Sequence, residues 1–147
     1  MTTSVDQAVT LFQQGFNCSQ AVCAAHAEAL GLPRDAALKI GAGFGGGMGG
    51  HGEVCGAVTG AIMVVGLKAG SSEAADAAAK EKAYALTHQV IEQFTARHGT
   101  ILCRELLGCD ILQPEGLQHA RDTQVFKTRC PLFVQSAAEI VSALIEA

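Results

Sequence analysis

The centre of this sequence is a glycine-rich stretch that runs into an apolar segment, GAGFGGGMGGHGEVCGAVTG, at residues 41–60. Eight of the twelve residues from 41 to 52 are glycine, which loses so much entropy on ordering that the tract is predicted to be a loop. A helix is predicted from Glu53 to about Lys68. In that helix Gly56 and Gly60 lie four residues apart, so they form a smooth stripe to which another backbone can come close.

Helix signals dominate on both sides of this stretch. Ser4 has the form of a capping box with the glutamine three residues on, and Asn17 repeats that spacing at the next helix. Ser72 is predicted to cap the longest helix, which Gly99 ends. Alternating strand patterns and internal repeats are not found, so residues 1–147 are predicted to form one all-α domain of about six to eight helices. The other predicted helices cover residues 18–30, 34–42, 101–107, 114–127 and 132–146.

Composition restricts the class of protein. The length of 147 residues suits a single domain. The formal net charge of −4 argues against a nucleic-acid partner or a membrane surface, since proteins that bind these are normally basic. Apolar residues make up 49% and charged residues 16% of the chain, which excludes disorder and predicts that part of the surface faces protein. We therefore expect a homodimer, the commonest symmetric assembly.

The six cysteines indicate chemistry because of the compartment that the sequence implies. Residues 1–7 lack the features of a signal peptide, and the uncharged, strongly apolar run at residues 54–67 is too short to cross a bilayer of about 30 Å. We expect a cytoplasmic protein without a membrane partner. Structural disulfides are rare in that reducing compartment, so metal binding or redox chemistry is favoured. The cysteines are Cys18, Cys23, Cys55, Cys103, Cys109 and Cys130.

Four of these cysteines fall at predicted helix starts. A helix N-terminus carries partial positive charge and free amide donors, so it stabilises a thiolate and lowers the thiol pKa from about 8.5. Cysteines that only fill a core have no reason to choose first turns, although packing as small hydrophobic residues stays an alternative for each of them. The four are predicted to be catalytic or metal-ligating: Cys18 at about N1, Cys55 in a first turn, Cys103 near N3 and Cys130 at an N-cap.

The segments around these cysteines are FNCSQAV at 16–22, GEVCGAVTG at 52–60, CRELLG at 103–108 and CPLFV at 130–134. Together with the glycine tract they resemble the C_GCAxxG_C_C family of redox-active proteins. The family label reads Gly-Cys-Ala, whereas this chain has Cys55-Gly56-Ala57. The resemblance implies a small helical protein with redox-active or metal-ligating cysteines, and it implies no particular substrate.

The two remaining cysteines are assigned weaker roles. Cys23 lies well inside its helix, where packing is favoured and an intrahelical disulfide with Cys18 is excluded by the spacing. Cys109 follows Gly108, and at a helix end closed by this glycine its side chain folds back toward Cys103. Cys109 is therefore a candidate resolving cysteine for Cys103, with simple hydrophobic contact as the alternative.

The glycine tract supplies the candidate cofactor-binding residues. Gly50 and Gly52 are predicted to bring backbone amides close to the sulfur near Cys55, and His51 between them is a candidate acid, base or ligand. A mobile loop with a solvated histidine is the alternative.

The sequence also argues against several cofactors. The tract matches G-x-G-x-x-G at residues 41–46, but no strand precedes it, so no nicotinamide cofactor is expected. Cys-x-x-Cys-His is missing, so covalent haem is not expected either. A metal would need distant segments to converge, with Cys18, Cys55, Cys103 and Cys130 holding an iron–sulfur cluster or zinc.

These observations favour a redox function, as an oxidoreductase or an electron carrier with an electron donor or acceptor that the sequence does not identify. The chemistry is electron transfer or thiol–disulfide exchange. The alternative is a structural four-cysteine zinc site in an interaction module without redox activity. In both cases we expect at least three of the four sulfurs to lie within about 8 Å of one another.

Overall fold

The computed structural model describes residues 3–146, and within them it confirms the all-α prediction. Extended pairing in that range is confined to one isolated antiparallel bridge between Val54 and Leu102. None of the described helices combines the length and the apolar character needed to span a membrane. The helices are α1 Ser4–Gln13, α2 Cys18–Ala27, α3 Arg34–Gly41, α4 Gly56–Ala69, α5 Ala77–His98, α6 Cys103–Leu107, α7 Pro114–Asp122, α8 Val125–Thr128 and α9 Cys130–Glu146, with short 3₁₀ helices at Glu28–Leu30 and Ala42–Phe44.

Helix α2 lies at the centre of the fold, packed against α1, α3 and above all α4. The predicted glycine stripe explains the close approach of α4, because a Cβ at Gly60 would lie 2.8 Å from the Ser19 carbonyl oxygen. At Gly56 it would lie 3.0 Å from the Ser19 backbone nitrogen. Helix α9 packs on α1, α4 and α5 and closes the core, in which Phe94 and Ile140 are among the largest buried side chains.

Two of the predicted caps are wrong. Thr3, rather than Ser4, caps α1, since its Oγ1 accepts from the Asp6 amide at 3.1 Å and the Asp6 carboxylate accepts from the Thr3 amide at 3.2 Å. Asp76, rather than Ser72, caps α5 and accepts from the Ala79 amide at 2.9 Å. In both cases the observed cap is an equally good polar residue close to the predicted one, and an aspartate contributes charge as well.

The helices predicted to begin at residues 53 and 101 both begin later, for one shared reason. Their first residues pair with each other instead of turning into helix: the Cys55 amide donates to Ile101 O and the Cys103 amide to Glu53 O, each at 2.7 Å. The predicted helix at 114–127 is divided because Gln124 adopts a left-handed backbone, φ 56°, between α7 and α8.

The glycine tract is a loop, as predicted, but it is ordered by its own backbone. All five residues from 46 to 50 have φ between 58° and 83°, a left-handed run that favours glycine. Backbone hydrogen bonds then tie the tract together, from Gly49 N to Gly43 O at 2.9 Å and from Gly52 N to Gly46 O at 3.0 Å. This internally bonded structure argues against the mobile-loop alternative.

Candidate redox site

Four helix starts converge on one cavity of about 140 Å³, and a cysteine from each start lines it. Cys18 is the first residue of α2, Cys55 is the N-cap of α4, Cys103 opens α6 and Cys130 opens α9. The four cysteines that are predicted to share a site thus line the same cavity. Their positions differ from the prediction, since Cys55 precedes its helix, Cys103 is at the first position instead of the third, and Cys130 is the first residue of its helix instead of the N-cap.

The rest of the cavity wall is apolar. Its one polar side chain among the described residues, Asn17, is fully engaged: Oδ1 accepts from the Gln20 amide at 2.9 Å, and Nδ2 donates to Gly41 O at 3.3 Å and Ala42 O at 3.1 Å. These bonds join the start of α2 to the glycine tract. The apolar side chains of the wall are Phe12, Leu106, Leu107, Phe126 and Phe133.

Gly47 lets the glycine tract pack directly on the cysteines. Its φ is 68°, and a Cβ there would lie 2.5 Å from Glu53 N and 2.8 Å from the Cys103 Cβ. Any other residue at this position would be strained and would displace Cys103. Gly46 and Gly47 thus form part of the cavity wall.

Cys55 and Cys18 have opposite pKa shifts. The hydrogen bond from the Cys18 thiol lowers the pKa of Cys55 most; burial opposes it, and the backbone amides of Ala57 and Val58 lower it further. The half-buried Cys18 has a raised pKa, because hydrogen bonds with the side chains of Cys130 and Cys55 favour its protonated form and burial adds to this. The pair therefore consists of one thiol that is readily ionised and one that holds its proton.

Cys103 is buried, like Cys55 and Cys130. Burial, followed by the charges of Cys55, Cys130 and Cys109, raises the pKa of Cys103 to about 12. The charge of Cys109 acts on Cys103, but Cys109 is outside the cavity wall, and its thiol donates to Leu107 O at 3.7 Å. The resolving role assigned to Cys109 stays a prediction.

The structure does not bring the predicted cofactor-binding residues into the cavity. Gly50, His51 and Gly52 are outside its wall, and the exposed His51 ring instead places Nδ1 3.1 Å from Met48 O. The left-handed run turns this part of the tract away from the sulfurs. Cys23 is buried in α2, in agreement with its predicted packing role, and burial raises its pKa.

Sequence reasoning missed the aromatic part of the wall. Phe133 lies three residues after Cys130 and so on the same face of α9, a spacing that would have allowed its assignment to the site. Phe12 and Phe126 reach the cavity from α1 and α8, and no local spacing relates them to a cysteine.

The cavity thiols are also candidate metal ligands. Within residues 3–146 no group of three or more His, Cys, Asp or Glu side chains is arranged to hold a metal ion. The four thiols share a cavity, yet they do not form a ready-made coordination shell.

This fold and site define a class of protein: it is all-α, and thiols at the starts of its helices surround an apolar cavity. The chain belongs to the family described as "Putative redox-active protein (C_GCAxxG_C_C)", whose model matches residues 16–144. All four cavity cysteines fall within the match, and the resemblance found in the sequence is confirmed. Comparisons with curated proteins and with solved structures give no match.

Proposed function

We propose that this protein carries out thiol–disulfide exchange, with Cys55 as the nucleophile and Cys18 as the partner that completes the disulfide. The observation that carries this proposal is the placement of Cys55 at the N-cap of α4, in contact with the thiol of Cys18. A helix N-terminus is a setting in which a cysteine becomes a reactive thiolate.

The close packing of α2 on α4 supports the pairing. A Cβ at Gly56 would lie 3.2 Å from the Cys18 Cβ, so the two helix starts that carry these cysteines touch. A disulfide needs Cα atoms about 4.4–6.8 Å apart, and the contact between these two helix starts supports a pairing at that range. The opposite pKa shifts divide the roles: Cys55, the more acidic thiol, attacks first, and Cys18 attacks after a mixed disulfide has formed.

The atoms and electrons of the exchange balance between the two cysteines and one external disulfide. The Cys55 thiolate attacks a sulfur of R–S–S–R, whose S–S bond breaks to release one thiolate. Cys18 then attacks the Cys55 sulfur, the mixed S–S bond breaks, and a second thiolate leaves. The two protons given up by the cysteines end on the two R–SH products, and the two electrons pass from the protein to the substrate.

Cysteine substitutions test this proposal. Cys18→Ser should trap a mixed disulfide on Cys55, while Cys55→Ser should lose most of the reaction, both read by intact mass and peptide mapping. Cys23→Ser is the matched control, since Cys23 lies on α2 outside the cavity wall and should react like the unchanged protein. Oxidation of Cys55→Ser at an unchanged rate would rule out the assigned nucleophile.

The other two cavity thiols extend the proposal. Cys130 lines the same cavity and raises the pKa of Cys18, which supports a role for a third sulfur near the first disulfide. Cys103 also lines the cavity, and Cys109, whose charge acts on it, is its candidate partner in a second pair. This arrangement supports passage of the disulfide from Cys18 and Cys55 to a second pair, and then to an external electron donor.

A metal-dependent alternative rests on the same four cysteines, which would hold an iron–sulfur cluster for electron transfer or a structural zinc ion. Their shared cavity favours this alternative, and the lack of a ready coordination group among residues 3–146 counts against it. Anaerobic purification followed by metal analysis and a visible spectrum separates the cases. Iron with sulfide or stoichiometric zinc supports the alternative, and a colourless, metal-free protein with reactive thiols supports exchange.

A further inference from the structure

We propose that the site accepts small, uncharged organic disulfides and rejects negatively charged or bulky ones. This inference rests on the proposed function, because it names the substrate class of the same thiol pair. It is carried by the size of the cavity, the lack of charge in its wall and two phenylalanines at its boundary.

The volume of the cavity limits the size of the substrate. The cavity measures about 140 Å³. An apolar protein cavity of about 150 Å³ takes up one benzene molecule, so this site has room for a ligand of that order. Diethyl disulfide has as many non-hydrogen atoms as benzene, whereas a peptide disulfide such as oxidised glutathione is several times larger.

The side chains of the cavity wall limit the charge that a substrate can carry. Apart from the reacting Cys55 thiolate, none of the side chains that line the cavity in residues 3–146 is charged, and the Asn17 amide is already bonded on both of its polar atoms. A substrate carboxylate would lose its water here, gain no partner and be repelled by the thiolate, and this strongly disfavours binding. An uncharged alkyl disulfide loses little on entry and gains contact with the apolar wall.

Phe12 and Phe126 form the boundary of the site. Both line the cavity, and both also line an open groove outside it, together with Phe16 and Pro131. The two half-buried rings therefore lie between the thiols and solvent on this side. Shortening one of them should admit a longer substrate, whereas shortening Phe16, which lines the groove alone, should not.

The experiment mixes the reduced, full-length protein anaerobically with single disulfides and counts the protein thiols lost. Diethyl disulfide tests the preferred class, 2,2′-dithiodiacetate tests negative charge and dibutyl disulfide tests length. Each rate is divided by the rate of the same disulfide with 2-mercaptoethanol, which removes intrinsic reactivity. We expect diethyl disulfide to exceed each of the other two by about tenfold or more.

The variants locate this selectivity in the cavity wall. Phe126→Ala should raise the relative rate with dibutyl disulfide several-fold, and Phe16→Ala should leave it unchanged, with circular dichroism verifying the fold of both. Phe126→Leu serves the same purpose if the alanine variant fails to fold. Equal normalised rates for all three disulfides, with Cys55 still required, would overturn this inference but leave the exchange proposal intact. Failure of every disulfide to oxidise Cys55 would instead overturn the exchange proposal.

Discussion

Cys103 shows how burial and a helix start compete at a single residue. It opens α6, a position that favours the thiolate, yet burial is the largest influence on it and its pKa rises to about 12. Cys55 occupies a similar position and shifts the other way, since the Cys18 thiol donates to it. Helix position alone therefore does not decide which thiol ionises, because burial dominates at Cys103 and a neighbouring thiol dominates at Cys55.

The raised pKa of Cys103 makes stability depend on alkaline pH. Its thiol ionises near the usual 9.0 in the unfolded chain and near 12 in the folded one, so its contribution is complete below pH 9.0 and is lost as the pH rises toward 12. Each pH unit in that window removes up to about 1.4 kcal/mol. The raised pKa values of Cys18 and Cys23 act in the same direction.

Urea unfolding at a series of alkaline pH values measures this dependence. We expect the free energy of unfolding to fall through the window in the unchanged protein and to fall less steeply in Cys103→Ala. The comparison uses slopes, so a constant loss of stability from the shorter side chain does not affect it. Parallel slopes for the two proteins would contradict the shift.

The residues that sequence reasoning found are those with a local signature. A cysteine in the first turn of a predicted helix, beside a cap or before a proline is recognisable from its neighbours in the chain, and these signatures identify the four cavity cysteines. Gly46 and Gly47 were passed over for Gly50 and Gly52, because which part of the tract faces the sulfurs depends on the left-handed run at 46–50 and on contacts with distant residues.

At the scale of elements, the contact between α2 and α4 depends on missing side chains. Gly60→Ala would place a Cβ 2.8 Å from the Ser19 carbonyl oxygen and 3.1 Å from the Val22 Cβ. Since the first of these atoms is backbone, the helices must separate, and we expect a loss of about 1–3 kcal/mol in the free energy of unfolding.

Gly66 in the same helix provides the matched control. A Cβ there meets nothing within 4 Å, so the only expected effect of Gly66→Ala is the higher helix propensity of alanine. We expect this to raise the free energy of unfolding by about 0.5–1 kcal/mol. Thermal or denaturant unfolding of both variants gives the comparison. Shifts of the same sign would show that the close approach at Gly60 has no energetic role.

Element boundaries could be predicted where a cap acts alone and could not where distant segments interact. The Asn17 box with Gln20 is confirmed, since both residues lie on one turn. The late starts of α4 and α6 arise from pairing between residues 53–55 and 101–103, about fifty positions apart, which no local pattern reveals.

On the scale of the whole molecule, several large apolar side chains are left in solvent. Tyr84 is 61% exposed, Leu132 55% and Ile40 53%. With few charges to keep molecules apart, surfaces of this kind promote association. We therefore expect a homodimer, with light scattering at micromolar concentration giving twice the chain mass of 15.1 kDa. A mass of one chain under those conditions would argue that these side chains have another role.

Because residues 46–50 adopt a left-handed backbone, an L-amino acid and a D-amino acid placed there should affect stability differently. Gly49 is exposed, has φ 58° and has open space where an L-residue would place its Cβ, so an L-alanine there is strained only by handedness. A D-alanine prefers this backbone and restricts the unfolded chain, which should stabilise the protein by about 0.4–1 kcal/mol. Chemical ligation can produce two proteins that carry L-alanine or D-alanine at position 49 and are otherwise identical. We expect the protein with D-alanine to have the higher melting temperature.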